Sequence, residues 1–187
     1  MILHTETALA GALRDVLQQL EQRVTFAGPV TVYLAGGMAV HLYTGVRVTT
    51  DIDAEFAVAR FIPPPVGTDV VLEDGQRKHV YLDTNYNASF ALLHEDYDVD
   101  AVPAGMRFSH LVLKVLSPTD LAVSKIARFA PNDQEDIAAL VNAGLTDAAA
   151  IQQRAEAAIS SYVGDQRMLR HNLNDAIALA QRVERQK

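Results

Sequence analysis

The chain has 187 residues, 49% of them hydrophobic, with a formal net charge of −7 and no cysteine. That length and apolar share specify a globular domain with its own core, while the lack of cysteine excludes disulfides, thiolate zinc sites and cysteine nucleophiles and leaves carboxylates and histidines as metal ligands, a donor set that favours a hard cation. The acidic balance argues against a general nucleic-acid coat, which needs clustered Lys and Arg over many phosphates, but is compatible with a local basic strip.

No stretch approaches the roughly 20 apolar residues of a membrane helix, and Met1 to Leu20 carries no signal pattern, so the expected location is the cytoplasm. Thr5 to Arg23 reads as an amphipathic helix, with Leu9, Leu13, Val16, Leu17 and Leu20 at helical spacing. Gly28-Pro29 breaks the chain before Val30 to Leu34, a β-branched and aromatic run that reads as a buried strand. This strand runs through Ala35-Gly36-Gly37 into an apolar helix, Met38 to Tyr43. Asp51 to Val58 reads as the next strand, and Pro63-Pro64-Pro65 must be loop, because three prolines neither pair in a sheet nor continue a helix.

Lys78 to Asp83, Ala88 to Leu93, Tyr97 to Val102 and His110 to Leu116 are each strand-length and separated by turn residues, which predicts a mixed or antiparallel sheet. Helices then take over. Ser117-Pro118-Thr119-Asp120 places a capping Ser, a first-turn Pro and an acid before an apolar run, and Asn132 with Glu135 repeats that logic. Gly144 ends that helix, Thr146-Asp147 opens another to about Tyr162, and a last one runs from Asp165 or Gln166 to Arg185. No repeat or low-complexity segment interrupts the order.

The segment from Leu34 to Asp53 carries the chemistry. Two glycines between strand and helix let backbone approach closely, and the helix start offers unpaired N–H groups to a phosphate. On a strand, the period of two points Asp51 and Asp53 to one face, about 7 Å apart. Two ionised carboxylates there repel, and a divalent cation is the natural remedy. Magnesium prefers oxygen and commonly shares its ligands with a triphosphate, so a phosphate cradle beside a carboxylate pair describes a nucleotide site. Arg47 and Thr50, just before the pair, are candidates for orienting phosphate or a carboxylate, or else surface turn residues. His41 reads as a satisfied or exposed histidine, and His79, His94 and His110 lack zinc-like spacing.

The glycine pair, the spacer and Asp51-Ile52-Asp53 resemble the signature of the DNA polymerase beta-like nucleotidyltransferases, and in particular their minimal and abortive-infection-type members from toxin-antitoxin systems. The resemblance covers roughly Tyr33 to Leu140. It implies a third carboxylate on a later strand, for which Tyr97 to Val102 offers Asp100, with Asp98 as the alternative. In the abortive-infection-type relatives a Lys and a further Asp follow on helices, and Lys125 and Asp136 match those positions. Lys125 lies along an apolar stripe between Leu121 and Phe129, an expensive place for an ammonium unless phosphate or a carboxylate meets it. Asp136 could equally be the group that pairs with it.

The expectation is therefore an α/β (α+β) fold, a nucleotidyltransferase-like mixed sheet flanked by helices, with residues 1–116 as core and 117–187 as a helical region packed on it. The expected activity moves a nucleoside monophosphate from a nucleoside triphosphate to a hydroxyl acceptor, a tRNA end or a protein side chain. Mg2+ or Mn2+ would be held by Asp51, Asp53 and Asp100, with Gly36, Gly37, Arg47, Thr50 and Lys125 on the nucleotide. A cognate toxin or antitoxin is an implied partner. The rival readings are a catalytically idle antitoxin or scaffold that grips its partner through the tail helices, and a nucleotide sensor. Arg154, Arg167, Arg170, Arg182 and Arg185 read as solvated helix faces or as an RNA or partner strip.

Overall fold

The structure is a computed structural model that describes residues 2–58 and 61–186, and of Phe90 the backbone alone. Its elements divide between two units, Met1–Tyr86 with Ala101–Val115, and Asn87–Asp100 with Leu116–Lys187.

In the first unit, helix α1 (Ala8–Arg23) starts where Thr7 accepts the Ala10 N–H, which satisfies one of the donors a helix start leaves open. Its stripe of Leu9, Leu13, Val16, Leu17 and Leu20 is buried as the spacing predicts, against strands β4 (Gly67–Val71) and β5 (Arg77–Leu82). Glu21, one turn after Leu17, accepts the backbone N–H groups of Ser109, His110 and Leu111, at 3.1, 2.5 and 2.9 Å. One carboxylate thus ties α1 to the start of strand β7 (Leu111–Val115).

Two small mixed sheets complete this unit. The first has the order β3-β1-β7-β6, in which β1 (Val30–Leu34) runs parallel to β7 and antiparallel to β3 (Ala54–Phe56), and β6 (Val102–Pro103) lies antiparallel to β7. Pro103 sits on an edge strand, where its missing N–H costs no ladder bond. The second has the order β2-β5-β4, with β2 (Asp51–Ile52) parallel and β4 antiparallel to β5.

The expected strand from Asp51 to Val58 is therefore two strands. The chain leaves one sheet after Ile52 and enters the other at Ala54, so that Asp53 lies at the step between them. Ala88 to Leu93 is no strand either, but a 3-10 turn over Ala88–Phe90 that Asn87 caps, followed by loop. Strand β4, in a stretch with no strand signal of its own, forms because β5 offers it a partner across a tight turn at Asp74-Gly75.

The second unit is helical. Tyr97 to Val102 was expected as a strand, yet Tyr97–Asp100 is a short helix, α3, in which the Asp100 N–H bonds back to the Asp96 carbonyl. Helix α4 (Pro118–Ser124) begins as its sequence predicts, with Ser117 accepting the Asp120 N–H at 3.1 Å. Helix α5 (Pro131–Asn142) starts with Pro131, and Asp133 rather than Asn132 does the capping, by accepting the Ala130 N–H at 3.0 Å. Helices α6 (Ala148–Ser160, capped by Asp147) and α7 (Arg167–Glu184) follow. Alanines 155, 158, 176 and 180 are buried, and their small side chains let α7 pack closely on α5 and α6. The architecture is thus mixed α+β with a helical C-terminal region, and among the described residues no helix is long and apolar enough to cross a membrane.

Candidate active site

Helix α2 (Gly36–Thr44) follows β1 with one residue, Ala35, between them, and Ala35 makes no side-chain cap. Its first residue, Gly36, has φ 62°, a left-handed conformation that costs any residue with a Cβ about 1–2 kcal/mol. A Cβ there would also stand 1.7 Å from Asp53 Oδ2. The glycine is therefore required twice over, and the consequence is that the Asp53 carboxylate lies directly against the N-terminal turn of α2, where the positive end of a helix favours a negative charge. The Asp53 carbonyl accepts the Ala35 N–H at 2.8 Å, which fixes the backbone on the same side.

Gly37 is matched to the other acid through an intermediary. Its missing Cβ leaves room for Thr49, whose Cβ and Oγ1 would each stand 3.0 Å from it. Thr49 is buried and donates its hydroxyl hydrogen to Asp51 Oδ1 in a short hydrogen bond. So Asp51 and Asp53 are both registered against the glycine pair, one through Thr49 and one directly. Sequence reasoning passed over Thr49 in favour of Thr50. The signal was present, because Thr49 precedes Asp51 by the same two residues that separate the acids. Thr50 instead presents its carbonyl to the Tyr81 N–H, as a rung of the ladder leading into β2.

The loop that carries Arg47 is held by His41. This buried imidazole lies 2.7 Å from the Arg47 carbonyl through Nδ1 and 2.7 Å from Thr7 Oγ1 through Nε2. A carbonyl can only accept, so Nδ1 carries the proton and Nε2 accepts from Thr7. Burial lowers the pKa of His41 despite the opposing bond to Arg47, which agrees with the neutral tautomer. The guanidinium of Arg47 donates to the Val48 carbonyl at 2.5 Å.

Two further acids and a phenol belong to this unit. Asp83 follows β5, and its N–H bonds to the Ile52 carbonyl at 3.0 Å, which extends the β2–β5 ladder to the level of Asp53. Glu55 stands on β3 opposite Tyr33. The hydroxyl of Tyr86 is held far above its ordinary range by burial first and then by the negative charges of Asp53 and Glu55, so it stays a neutral donor. None of Asp83, Glu55 and Tyr86 stands out in the sequence, because strand pairing alone groups them. Among the described residues, no three His, Asp or Glu side chains converge closely enough to hold a metal ion by themselves.

The remaining expected residues lie in the second unit. Asp100 is half exposed and meets Arg154 Nη2 at 2.7 Å. Arg154 also clamps the buried Asp120 at 2.6 and 3.0 Å, so the helical geometry of α3 turns Asp100 to a cation on α6 and not to a strand face. Asp98 lies on the same short helix. Lys125 and Asp136 are brought together, with Nζ 2.9 Å from Asp136 Oδ2 and 3.7 Å from Asp133 Oδ1, and all three are buried. Asp133 takes in addition a two-pronged pair of bonds from Arg128, each 2.8 Å. Burial opposes the charge of Asp133, but these bonds, the Ala130 N–H and Lys125 outweigh it, and its carboxyl is held below the usual range. The ammonium of Lys125 is thus met by carboxylates of α5.

No curated protein and no solved structure matches this chain. A family described as "Nucleotidyltransferase of unknown function (DUF6036)" matches residues 11–187, a span that takes in the glycine pair and both acids. That coverage makes the chain a member of this nucleotidyltransferase family.

Proposed function

We propose that the protein transfers a nucleoside monophosphate from a nucleoside triphosphate to a hydroxyl acceptor, with Asp51 and Asp53 holding a divalent cation, Mg2+ or Mn2+, shared with the nucleotide's phosphates. The observation that carries this reading is the seating of the Asp53 carboxylate on Gly36, with Asp51 registered to Gly37 through Thr49. A glycine with no Cβ to displace the acid, at a helix start, is a costly arrangement for an acid with a merely solvating role.

The donor set suits such an ion. Magnesium is commonly bound by one or two carboxylates plus substrate phosphates, not by a full protein cage, and the pair Asp51 and Asp53 offers carboxylates for that mode. When bound, the cation would neutralise phosphate charge and polarise the transferred phosphoryl group. The chain's own residues then position the reactants. Thr49 fixes the rotamer of Asp51, His41 holds the Arg47 loop in place, and N–H groups at the start of α2 add positive field for phosphate. Asp83, beside Asp53 in the ladder, replaces Asp100 as the third carboxylate in this reading, placed to orient or deprotonate the acceptor hydroxyl. Lys125 and Asp136 serve as a buried pair that holds α4 to α5.

The acceptor in this reading is a tRNA end or a protein hydroxyl, and a toxin-antitoxin setting follows from the resemblance alone. Incubating the pure protein with each labelled triphosphate, magnesium, and bulk tRNA or lysate tests the proposal. Label incorporation lost in Asp51→Ala and Asp53→Ala supports the enzyme. Triphosphate binding without incorporation would instead make the protein a sensor, and neither would make it a scaffold.

A further inference from the structure

We infer that the near-parallel rings of His79 and Tyr81 form a platform for a nucleobase, on the same sheet face as Asp51; the inference rests on the nucleotidyl-transfer reading and gives it a base-binding subsite. Strand β5 pairs in register with β2, Asp51 opposite Tyr81, and in-register neighbours on adjacent strands project to one face about 4.8 Å apart. His79 and the ladder extension at Asp83 fall on that face too, two residues before and after Tyr81. The opposite face is the core side, where Val80, Leu82 and Ile52 are buried.

The two rings are arranged as a surface. Their centroids are 6.4 Å apart with an 18° interplanar angle, and Tyr81 is 42% exposed. Asp69 Oδ1 steadies the imidazole at 2.7 Å from Nδ1. Across the ladder from Tyr81 stands Gly67, where a Cβ would come within 2.7 Å of His79 Nε2 and 3.0 Å of the Val80 carbonyl oxygen. Glycine there leaves the rings uncovered from that strand. A cavity of about 400 Å3 opens at this end of the sheet, lined among others by Arg23, Gly67, His79, Tyr81, Asp83 and Asn85.

Two near-parallel rings, sharing a cavity with the Asn85 amide and with the Arg23 guanidinium, one nitrogen of which donates to the Pro65 carbonyl at 2.9 Å, fit the π-face and polar edge of a nucleobase. Tyr81 pairs with Asp51 in the ladder and Asp83 lines the same cavity, so a base held there would lie next to the strand that carries Asp51. The same chemistry is offered by the triphosphate's own base and by an unstacked base of an RNA acceptor.

The test measures binding of a nucleoside triphosphate, of inorganic tripolyphosphate and of a short single-stranded RNA to the full chain in magnesium, for wild type, Tyr81→Ala and Tyr81→Phe. Loss of one stacked base weakens binding roughly tenfold. The expected result is that Tyr81→Ala weakens the triphosphate or the RNA by that factor, which identifies the source of the base. Tyr81→Phe should restore it, and tripolyphosphate should not respond. Unchanged affinity for both triphosphate and RNA in Tyr81→Ala overturns the platform while leaving the parent reading intact, provided that wild type binds triphosphate. If wild type binds none of the three, the parent reading fails and the platform with it. Tyr81 is exposed and Tyr81→Phe keeps its shape, so misfolding is separable from lost stacking by circular dichroism of both variants.

Discussion

Replacing Gly36 by Ala puts two penalties on one methyl group, and the structure lets them be separated. The left-handed φ of 62° contributes about 1–2 kcal/mol. The overlaps with Asp53, at 1.7 Å to Oδ2, 2.6 Å to Cγ and 2.8 Å to Cβ, force either the carboxylate or the α2 start to move, and forced repacking costs a further ~1–3 kcal/mol. The sum is about 2–5 kcal/mol, measurable by urea denaturation, and transfer activity should fall with the displaced acid. In an Asp53→Ala background the two closest overlaps vanish and only the 2.8 Å approach to Cβ remains, so the same Gly36→Ala change should cost less, about 1–3 kcal/mol, from φ and that one contact. Gly37→Ala provides the contrast, because Gly37 has no left-handed φ and the atoms nearest its new Cβ would be those of Thr49, from 3.0 Å; it should cost about 1 kcal/mol or less once the helix-propensity gain is counted. The reasoning is refuted if Gly36→Ala costs the same with and without the Asp53 side chain, or if it leaves stability and activity at wild-type levels.

Three further outcomes follow from the charged and titrating groups. His41 has a lowered folded pKa, so the unfolded chain binds the proton more readily; its contribution to stability is complete above pH 6.5 and is lost as pH falls toward the folded value, with a slope of at most ~1.4 kcal/mol per pH unit. Denaturation at pH 8, 6.5 and 5.5 should show this slope in wild type and a shallower one in His41→Gln. Tyr86 has a raised folded pKa, so stability should decline as pH climbs past about 10, where the unfolded phenol ionises. Tyr86→Phe should flatten that decline, and an ultraviolet titration should show one fewer late-ionising tyrosine. Arg154→Ala leaves Asp120 buried without its cation and should cost about 3 kcal/mol or more, a loss that thermal unfolding would show even if catalysis were untouched.

The parts of the fold that the sequence announces are those fixed by near neighbours. The apolar stripe of α1, the Ser117 cap with Pro118, and the run from β1 through two glycines into α2 each depend on residues a few positions apart. Pro131 carries the same first-turn signal as Pro118 and marks a helix start at which Asp133, not Asn132, is the capping side chain. Asp51 and Asp53 were legible as a pair, but their placement was not. Which strand each joins depends on β5 and β1, and the change of sheet at Asp53 has no local signature. Tyr97 to Val102 alternates acid with apolar residue as a strand would, yet the partner of Asp100 is Arg154, over 50 positions away. Asp83 and Tyr86 have no local signature for the same reason, since each joins the site through pairing or packing that only the folded chain provides, whereas Thr49 is readable from its two-residue spacing to Asp51.

The most direct test of the central claim compares α-labelled with γ-labelled triphosphate in the presence of magnesium and acceptor, for wild type and for the isosteric Asp53→Asn. Nucleotidyl transfer carries the α-phosphate to the acceptor and releases the γ-phosphate in pyrophosphate, so the account predicts incorporation of the α-label alone, and its loss in Asp53→Asn without loss of fold. Incorporation of the γ-label, or undiminished α-label transfer by the folded variant, would contradict it.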